Sequence, residues 1–184
     1  ADLFSLTFNA RYEAFTKEGS TLYTPPASIE LEGITISIEG RFDHVCAKGL
    51  LLSAPCTLEQ VIKHSAQIFT FFAMDLSLFC EKRVWFFDKG EVKTLSAKNE
   101  HYKAFFSYFI RARHTGFPLL PKWSTYFEKQ DIMGLEKVIE KTLYERIDPY
   151  INHAFIEAGD YLESIIDKGS KLIDELFTPL LKHD

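Results

Sequence analysis

The chain is poor in cysteine: 184 residues hold only Cys46, Cys56 and Cys80. An odd number with no CxxC pair argues against a disulfide framework and against a zinc knuckle. Each cysteine lies among apolar residues, so buried free thiols and a reducing compartment are expected. Long hydrophobic runs are missing too. No stretch reaches the ~18 apolar residues that a membrane-spanning helix needs, so no membrane partner is expected. No secretory pattern opens the chain, which starts at Ala1 rather than Met, as a processed or partial chain would. A cytoplasmic location is the resulting expectation. Internal repeats and low-complexity segments are absent. So are GxSxG, HExxH, the P-loop and GxGxxG, and no cofactor is expected.

Aromatic residues are plentiful, with 17 Phe, 8 Tyr and 2 Trp. They suit strands and stacking surfaces equally, so their number favours no single function. The net charge of −5 is unevenly placed. Residues 127–184 carry a balance of −6 and residues 1–126 a balance of +1. The basic stretch is 98–126, with Lys98, Lys103, Arg111, Arg113 and Lys122 against Glu100. An acidic chain is a poor general binder of nucleic acid, while a local basic stripe leaves specific binding open.

Hydrophobic periodicity divides the molecule. Phe4, Leu6, Phe8, Ala10, Tyr12 and Ala14 alternate with polar residues and predict a strand at 3–15. A short strand at 21–24 should stop at Pro25-Pro26. Ile29 and Leu31, then Ile34, Ile36 and Ile38, continue as a meander across Gly33, and 42–53 gives another strand. Thr57 with Gln60 fits a capping box, followed by a helix over about 58–74. Strands at 82–87 and 91–95 flank the turn Asp88-Lys89-Gly90. Residues 102–113 fit two periods, and unbroken alternation favours a strand. A helix at 131–147 carries Leu135, Val138, Ile139, Leu143 and Ile147 on one side. Asp148 and Pro149 open the last helix, whose seam runs through Ile151, Phe155, Ala158, Leu162, Ile165, Gly169, Leu172 and Leu176 to about 177. The fold class is therefore α+β. A mostly antiparallel sheet of six to eight short strands packs against one helix, and a C-terminal helical pair follows. Residues 1–126 read as a β-rich recognition domain and 127–184 as an α-helical segment. The last seam could serve an intramolecular pair or a homodimer.

Three constellations are candidates for chemistry. On a strand, Lys103, Phe105, Phe109, Arg111 and Arg113 share one face, where rings stack bases and cations hold phosphates. The alternative is a strand buried on both faces with its arginines at the exposed end. Arg146 and His153 are separated by six residues, so the guanidinium could hold a phosphate while the imidazole moves a proton in RNA cleavage. His153, Glu157 and Asp160 lie at i, i+4 and i+7, but that face points away from the apolar seam and reads as solvated. No metal is expected there. Cys56 and His64 could pair, although apolar surroundings favour an inert thiol. Trp123 reads as a core anchor under the connector.

Strands lead into Leu50-Leu51-Leu52-Ser53-Ala54-Pro55-Cys56-Thr57-Leu58-Glu59. A helix ending in Phe69-Thr70-Phe71-Phe72-Ala73, hairpin strands, Phe117-Pro118-Leu119-Leu120-Pro121-Lys122-Trp123 and acidic helices follow. The order of these pieces resembles the N-terminal β-rich domain of ApeA-like anti-phage defence proteins. In that family the β-rich domain precedes a helical HEPN ribonuclease domain, whose signature is Arg, four to six residues, then His. Arg146 and His153 match that count, with Ile147 where a polar residue is usual and Asp148-Pro149 between them. The resemblance implies a sensing domain with an incomplete ribonuclease half. The expected function is recognition of a nucleic acid such as RNA, or of a foreign protein. The alternatives are a metal-independent ribonuclease using Arg146 and His153, and a carrier of an apolar ligand between sheet and helix.

Overall fold

The computed structural model describes residues 20–88, 91–96, 101–115, 120–144 and 162–181. The strand expected at 3–15, the Asp148-Pro149 helix start and the seam residues Ile151, Phe155 and Ala158 lie outside these. The fold is α+β, with a mostly antiparallel sheet and a set of helices. Two compact units are present, Ala1–Lys103 and Ala104–Asp184. The division falls after Lys103, whereas composition placed it after 126. Among the described residues no helix is long and apolar enough to cross a membrane.

The described sheet has the order β1 (Ser20–Leu31), β2 (Ile34–Cys46), β3 (Gly49–Leu52), β4 (Arg83–Asp88), β5 (Glu91–Ser96). Pro25-Pro26 does not end the first strand as expected. The pair sits opposite Glu39 alone, between the Thr24↔Gly40 and Ala27↔Ile38 partners, so the bulge absorbs the missing N–H groups. A second bulge places Asp43 and His44 opposite Thr21, with His44 at φ 59°. The two bulges preserve the face assignment. Ile29, Leu31, Ile38, Phe42, Val45, Leu50, Val84 and Leu95 therefore share one side, all buried. Leu31↔Ile34 closes over Glu32 at φ 51° and Gly33 at φ 77°, the two left-handed residues that a tight right-twisting hairpin requires.

β3 is the pivot. It pairs antiparallel with β2 (Cys46↔Gly49) and parallel with β4 (Leu50↔Val84, Leu52↔Phe86), and all four of its residues are buried. A strand covered on both faces needs a continuous apolar run, which Leu50-Leu51-Leu52 supplies. Gly49 has φ +121°, and a Cβ there would run into the Arg83 carbonyl. On the reverse face Leu51 packs with Cys46 and Phe87, flanked by the partly buried Trp85 and Val92. The Trp85 indole donates to the Lys48 carbonyl at 2.7 Å.

The parallel β3–β4 pair requires a crossover, which is helical. The helix expected over 58–74 is two helices, α1 (Leu58–Lys63) and α2 (Ser65–Ala73). Thr57 caps the first as expected, its hydroxyl accepting from the Gln60 amide at 3.4 Å. His64 leaves the helical basin at ψ 10° and ends one helix while starting the next. Phe71 meets Phe42 of β2 edge-on at 5.6 Å, and Phe69 stacks on His101 at 5.9 Å. Ile68, Phe69, Phe71 and Phe72 are at most 1% exposed. The three phenylalanine rings are buried between the crossover helices and the sheet.

Burial, and secondarily Lys63, hold the His64 imidazole below its ordinary 6.5, against a smaller opposing hydrogen bond with Gln67. The unfolded chain thus takes up the proton more readily than the folded one. The stability tied to neutral His64 is complete above the ordinary value and is lost as pH falls from there through the lower folded value. His64→Gln should flatten the decline in melting temperature between about pH 7 and pH 5. An unchanged slope would assign that decline to other groups.

The segment expected as a strand at 102–113 is a helix, α3 (His101–Thr115). Both parities of the alternation are aromatic there, so the run fits either period. At fifteen residues it has helix length rather than strand length. In the second unit a single 3-10 turn, Pro121–Trp123, leads into α4 (Ser124–Glu128) and α5 (Ile132–Tyr144). Trp123 is 1% exposed, as its role of anchor required. Asp131 caps α5, accepting from the Gly134 amide at 2.9 Å. Leu135 and Ile139 of α5 are buried, with Val138 partly so. α5 packs on α6 (Leu162–Leu176), which buries Ile165, Gly169, Leu172, Ile173 and Leu176. The expected seam thus holds over its described half. Short α7 (Thr178–Leu181) accommodates Pro179 in its first turn, where no donor is required.

Candidate recognition surface

The basic-aromatic set does not form one face. On α3, positions 105, 109 and 113 follow at four-residue steps, while 103 and 111 lie on roughly the opposite side of the helix. Phe105 is 7% exposed and belongs to the core, where it meets Phe106 edge-on at 5.5 Å. Phe109 is exposed, and Arg111 donates from Nε to the Ser107 carbonyl at 3.3 Å. The expectation failed because a period of two spreads around a helix. The Tyr108 phenol is pushed up to about 12 by burial alone. Arg146, His153, Glu157 and Asp160 lie outside the described residues. Among the described residues no group of three His, Cys, Asp or Glu could hold a metal ion.

A small cavity of about 100 Å³ opens at the carboxyl ends of the parallel pair β3 and β4. Its walls include Cys56, Asp88, Glu91 and Lys93. Asp88 and Glu91 are the last partners of the β4–β5 hairpin. Burial raises the Cys56 thiol, and Lys93 only partly opposes this. The thiol is thus protonated at neutral pH and not activated as a nucleophile, as the sequence suggested.

Among the described residues of the first unit, the most exposed large apolar side chains are elsewhere, on the connection from α2 to β4. Leu78 is 93% and Phe79 is 62% exposed. Their backbone is held from both sides. Met74, Leu76 and Cys80 are buried anchors. The Asp75 carboxylate accepts from the Ser77 hydroxyl at 2.7 Å and from the Ser77 amide at 3.3 Å. These two bonds, the hydroxyl foremost, hold the Asp75 carboxyl below its ordinary range. The Phe79 and Cys80 amides both donate to the Leu76 carbonyl, at 2.8 and 3.0 Å. Further on, the Glu81 amide donates to the Ala47 carbonyl at 2.9 Å, and Lys82 Nζ reaches the Phe72 carbonyl at 3.2 Å. The lysine thereby meets the negative end of α2. Beside the loop lies an open depression of about 470 Å³ lined by Ala47 and residues 77–82.

This surface was missed because apolar residues read as core in a sequence. The available signal was a Leu-Phe pair between Asp75-Leu76-Ser77 and Glu81-Lys82, outside any periodic run. Separately, the second unit exposes Ile132 and Met133 at the start of α5. No protein-family model, curated protein or solved structure matches the chain.

Proposed function

We propose that the chain is the recognition module of a defence-type protein and that it reads a foreign protein through Leu78 and Phe79. The observation that carries this reading is the exposure of both side chains on a loop whose backbone is pinned by hydrogen bonds and three buried anchors. Exposed apolar side chains on a rigid support lose little conformational freedom when a partner covers them. Covering a Leu or Phe fully gains about 1.5–3 kcal/mol, the size of an interface hot spot. The ApeA-like resemblance supports the choice of partner, since a sensing domain must meet something foreign.

A protein fits this surface better than RNA does. Phosphates call for converging cations, and the loop presents Asp75 and Glu81 alongside Lys82. The dispersal of Lys103 and Arg111 away from Phe105 and Phe109 on α3 also removes the stacking platform on which the RNA reading depended.

The test is a paired binding measurement. Wild type and the double variant Leu78→Ser with Phe79→Asp are immobilised and challenged with extracts of infected and uninfected cells, and any captured protein is then purified and titrated. A partner specific to infection, weakened at least about 30-fold by the double variant, is expected. Both replaced side chains are exposed, so the melting temperature should stay within a degree or two. Equal affinity for both proteins would remove the reading. Low-salt retention of RNA that is lost on Arg111→Glu would transfer it to nucleic acid.

A further inference from the structure

Two of the three thiols are neighbours. Cys46 ends β2 and Cys80 ends the Leu78–Phe79 loop, and both are buried, at 6% and 7% exposure. The residues that follow them are joined directly by the backbone bond from the Glu81 amide to the Ala47 carbonyl, at 2.9 Å. Cys46 pairs with Gly49 across the β2–β3 hairpin, and the turn that follows it lies against the segment that leads from Cys80 into β4. A disulfide needs Cα atoms about 4.4–6.8 Å apart, a span within reach of the residues that directly precede a hydrogen-bonded pair. A charge on Cys46 also acts on Cys80, whose thiol is raised first by burial and then by this neighbour. Cys80 has a route to solvent as well, since it forms part of the wall of the open depression beside Phe79.

We propose that Cys46 and Cys80 are a reversible thiol–disulfide pair, oxidised by a hydroperoxide and locking the Leu78–Phe79 loop to the β2–β3 hairpin. Burial disfavours the Cys80 thiolate as it does that of Cys56, so only its small thiolate fraction attacks one peroxide oxygen, in a slow step that needs excess hydroperoxide, and the O–O bond breaks. This leaves Cys80 as a sulfenic acid and releases water or an alcohol. The Cys46 thiolate then attacks the Cys80 sulfur, the S–O bond breaks and a second water leaves. Two thiols lose two protons and two electrons in total, and the peroxide takes them up. A dithiol reductant reverses the step by thiol–disulfide exchange. Burial keeps Cys80 from reacting with trace oxidant, while the adjacent second thiol captures the sulfenic acid once formed. Cys56, in a separate cavity, is the internal control. The regulatory meaning rests on the recognition reading, but formation of the bond does not.

Tryptic cleavage separates the three cysteines into peptides 42–48, 49–63 and 64–82. Folded wild type is treated with hydrogen peroxide, its remaining thiols are blocked before unfolding, and the peptides are mapped by mass. The expected result is a 42–48/64–82 cross-link lighter by two hydrogens, reversed by dithiothreitol and retained in Cys56→Ser. Cys80→Ala and Cys46→Ala should each abolish it; should either variant fail to fold, the wild-type map decides alone. Amide exchange at Leu78 and Phe79 should slow at least several-fold in the oxidised protein. A cross-link involving 49–63, higher oxides of Cys80 without a cross-link, or unreacted thiols would overturn the pair. A cross-link with unchanged exchange at Leu78 and Phe79 would overturn the locking of the loop. Neither failure touches partner capture by the reduced chain, which tests the recognition reading by itself.

Discussion

Replacing Gly49 with alanine is expected to lower the melting temperature by roughly 6–12 °C, equivalent to about 3 kcal/mol in a chain of this length. Two costs coincide at this position. The backbone sits at φ +121°, a conformation that residues with a Cβ rarely adopt. The new Cβ would also meet the Arg83 carbonyl carbon at 3.0 Å, its oxygen closer still, and the Glu81 carbonyl oxygen at 3.0 Å. These are backbone atoms of the segment leading into β4, so no rotamer change relieves the clash. Relief requires β3 and β4 to separate, and β3 joins the β1–β2 hairpin to the β4–β5 hairpin. Gly33→Ala is the natural comparison. Its φ is +77°, yet nothing lies within 4 Å of the added Cβ, so only the conformational cost of about 1 kcal/mol is expected. Thermal unfolding followed by far-ultraviolet dichroism measures both. Equal losses would show that the close approach of β3 to the Arg83 segment contributes nothing.

Truncating Trp123 to alanine is expected to cost about 3–5 kcal/mol, the usual penalty for emptying a large aromatic site. Trp123 is 1% exposed, and the following Ser124 is fully buried. The turn that presents the indole is short and closed. The Trp123 amide donates to the Leu120 carbonyl at 3.0 Å, and the Ser124 hydroxyl donates to the Pro121 carbonyl at 2.6 Å. A backbone tied this tightly cannot collapse into the vacated volume, so most of the cavity persists. Denaturant titration of Trp123→Ala against Trp123→Phe provides the measurement, and phenylalanine should recover a large part of the loss. A loss below about 1 kcal/mol for the alanine variant would mean that the site refills and that the indole is no anchor.

The strands at 29–38 were legible because period-two alternation survives in β1 and β2 beyond the Pro25-Pro26 bulge. The bulges themselves were not, since each is a mismatch between two strands and neither strand contains it alone. The Thr57 cap was legible because capping is local, reaching only to Gln60. The break at His64 was hidden, as the apolar spacing of Val61, Ile62, Ile68 and Phe69 continues through it. α3 was misread because Phe105, Phe106, Tyr108 and Phe109 satisfy two periods at once, and the set of candidate nucleic-acid contacts dissolved with the strand. The apolar character of Leu78 and Phe79 was plain, but their direction was not.

The sequence by itself determined the local chemistry: an alternation over 29–38 that forms sheet, a stripe over 162–176 that forms helix, three unpaired cysteines and a Trp123 too large to leave exposed. Tertiary structure alone decided the rest. Only the parallel register of β3 with β4 brings the segment after Cys46 against the segment after Cys80, across more than thirty intervening residues. Only the buried anchors Leu76 and Cys80 turn Leu78 and Phe79 outward. The reason is that periodicity records which side of an element faces the core, whereas a loop's orientation depends on contacts distant in sequence.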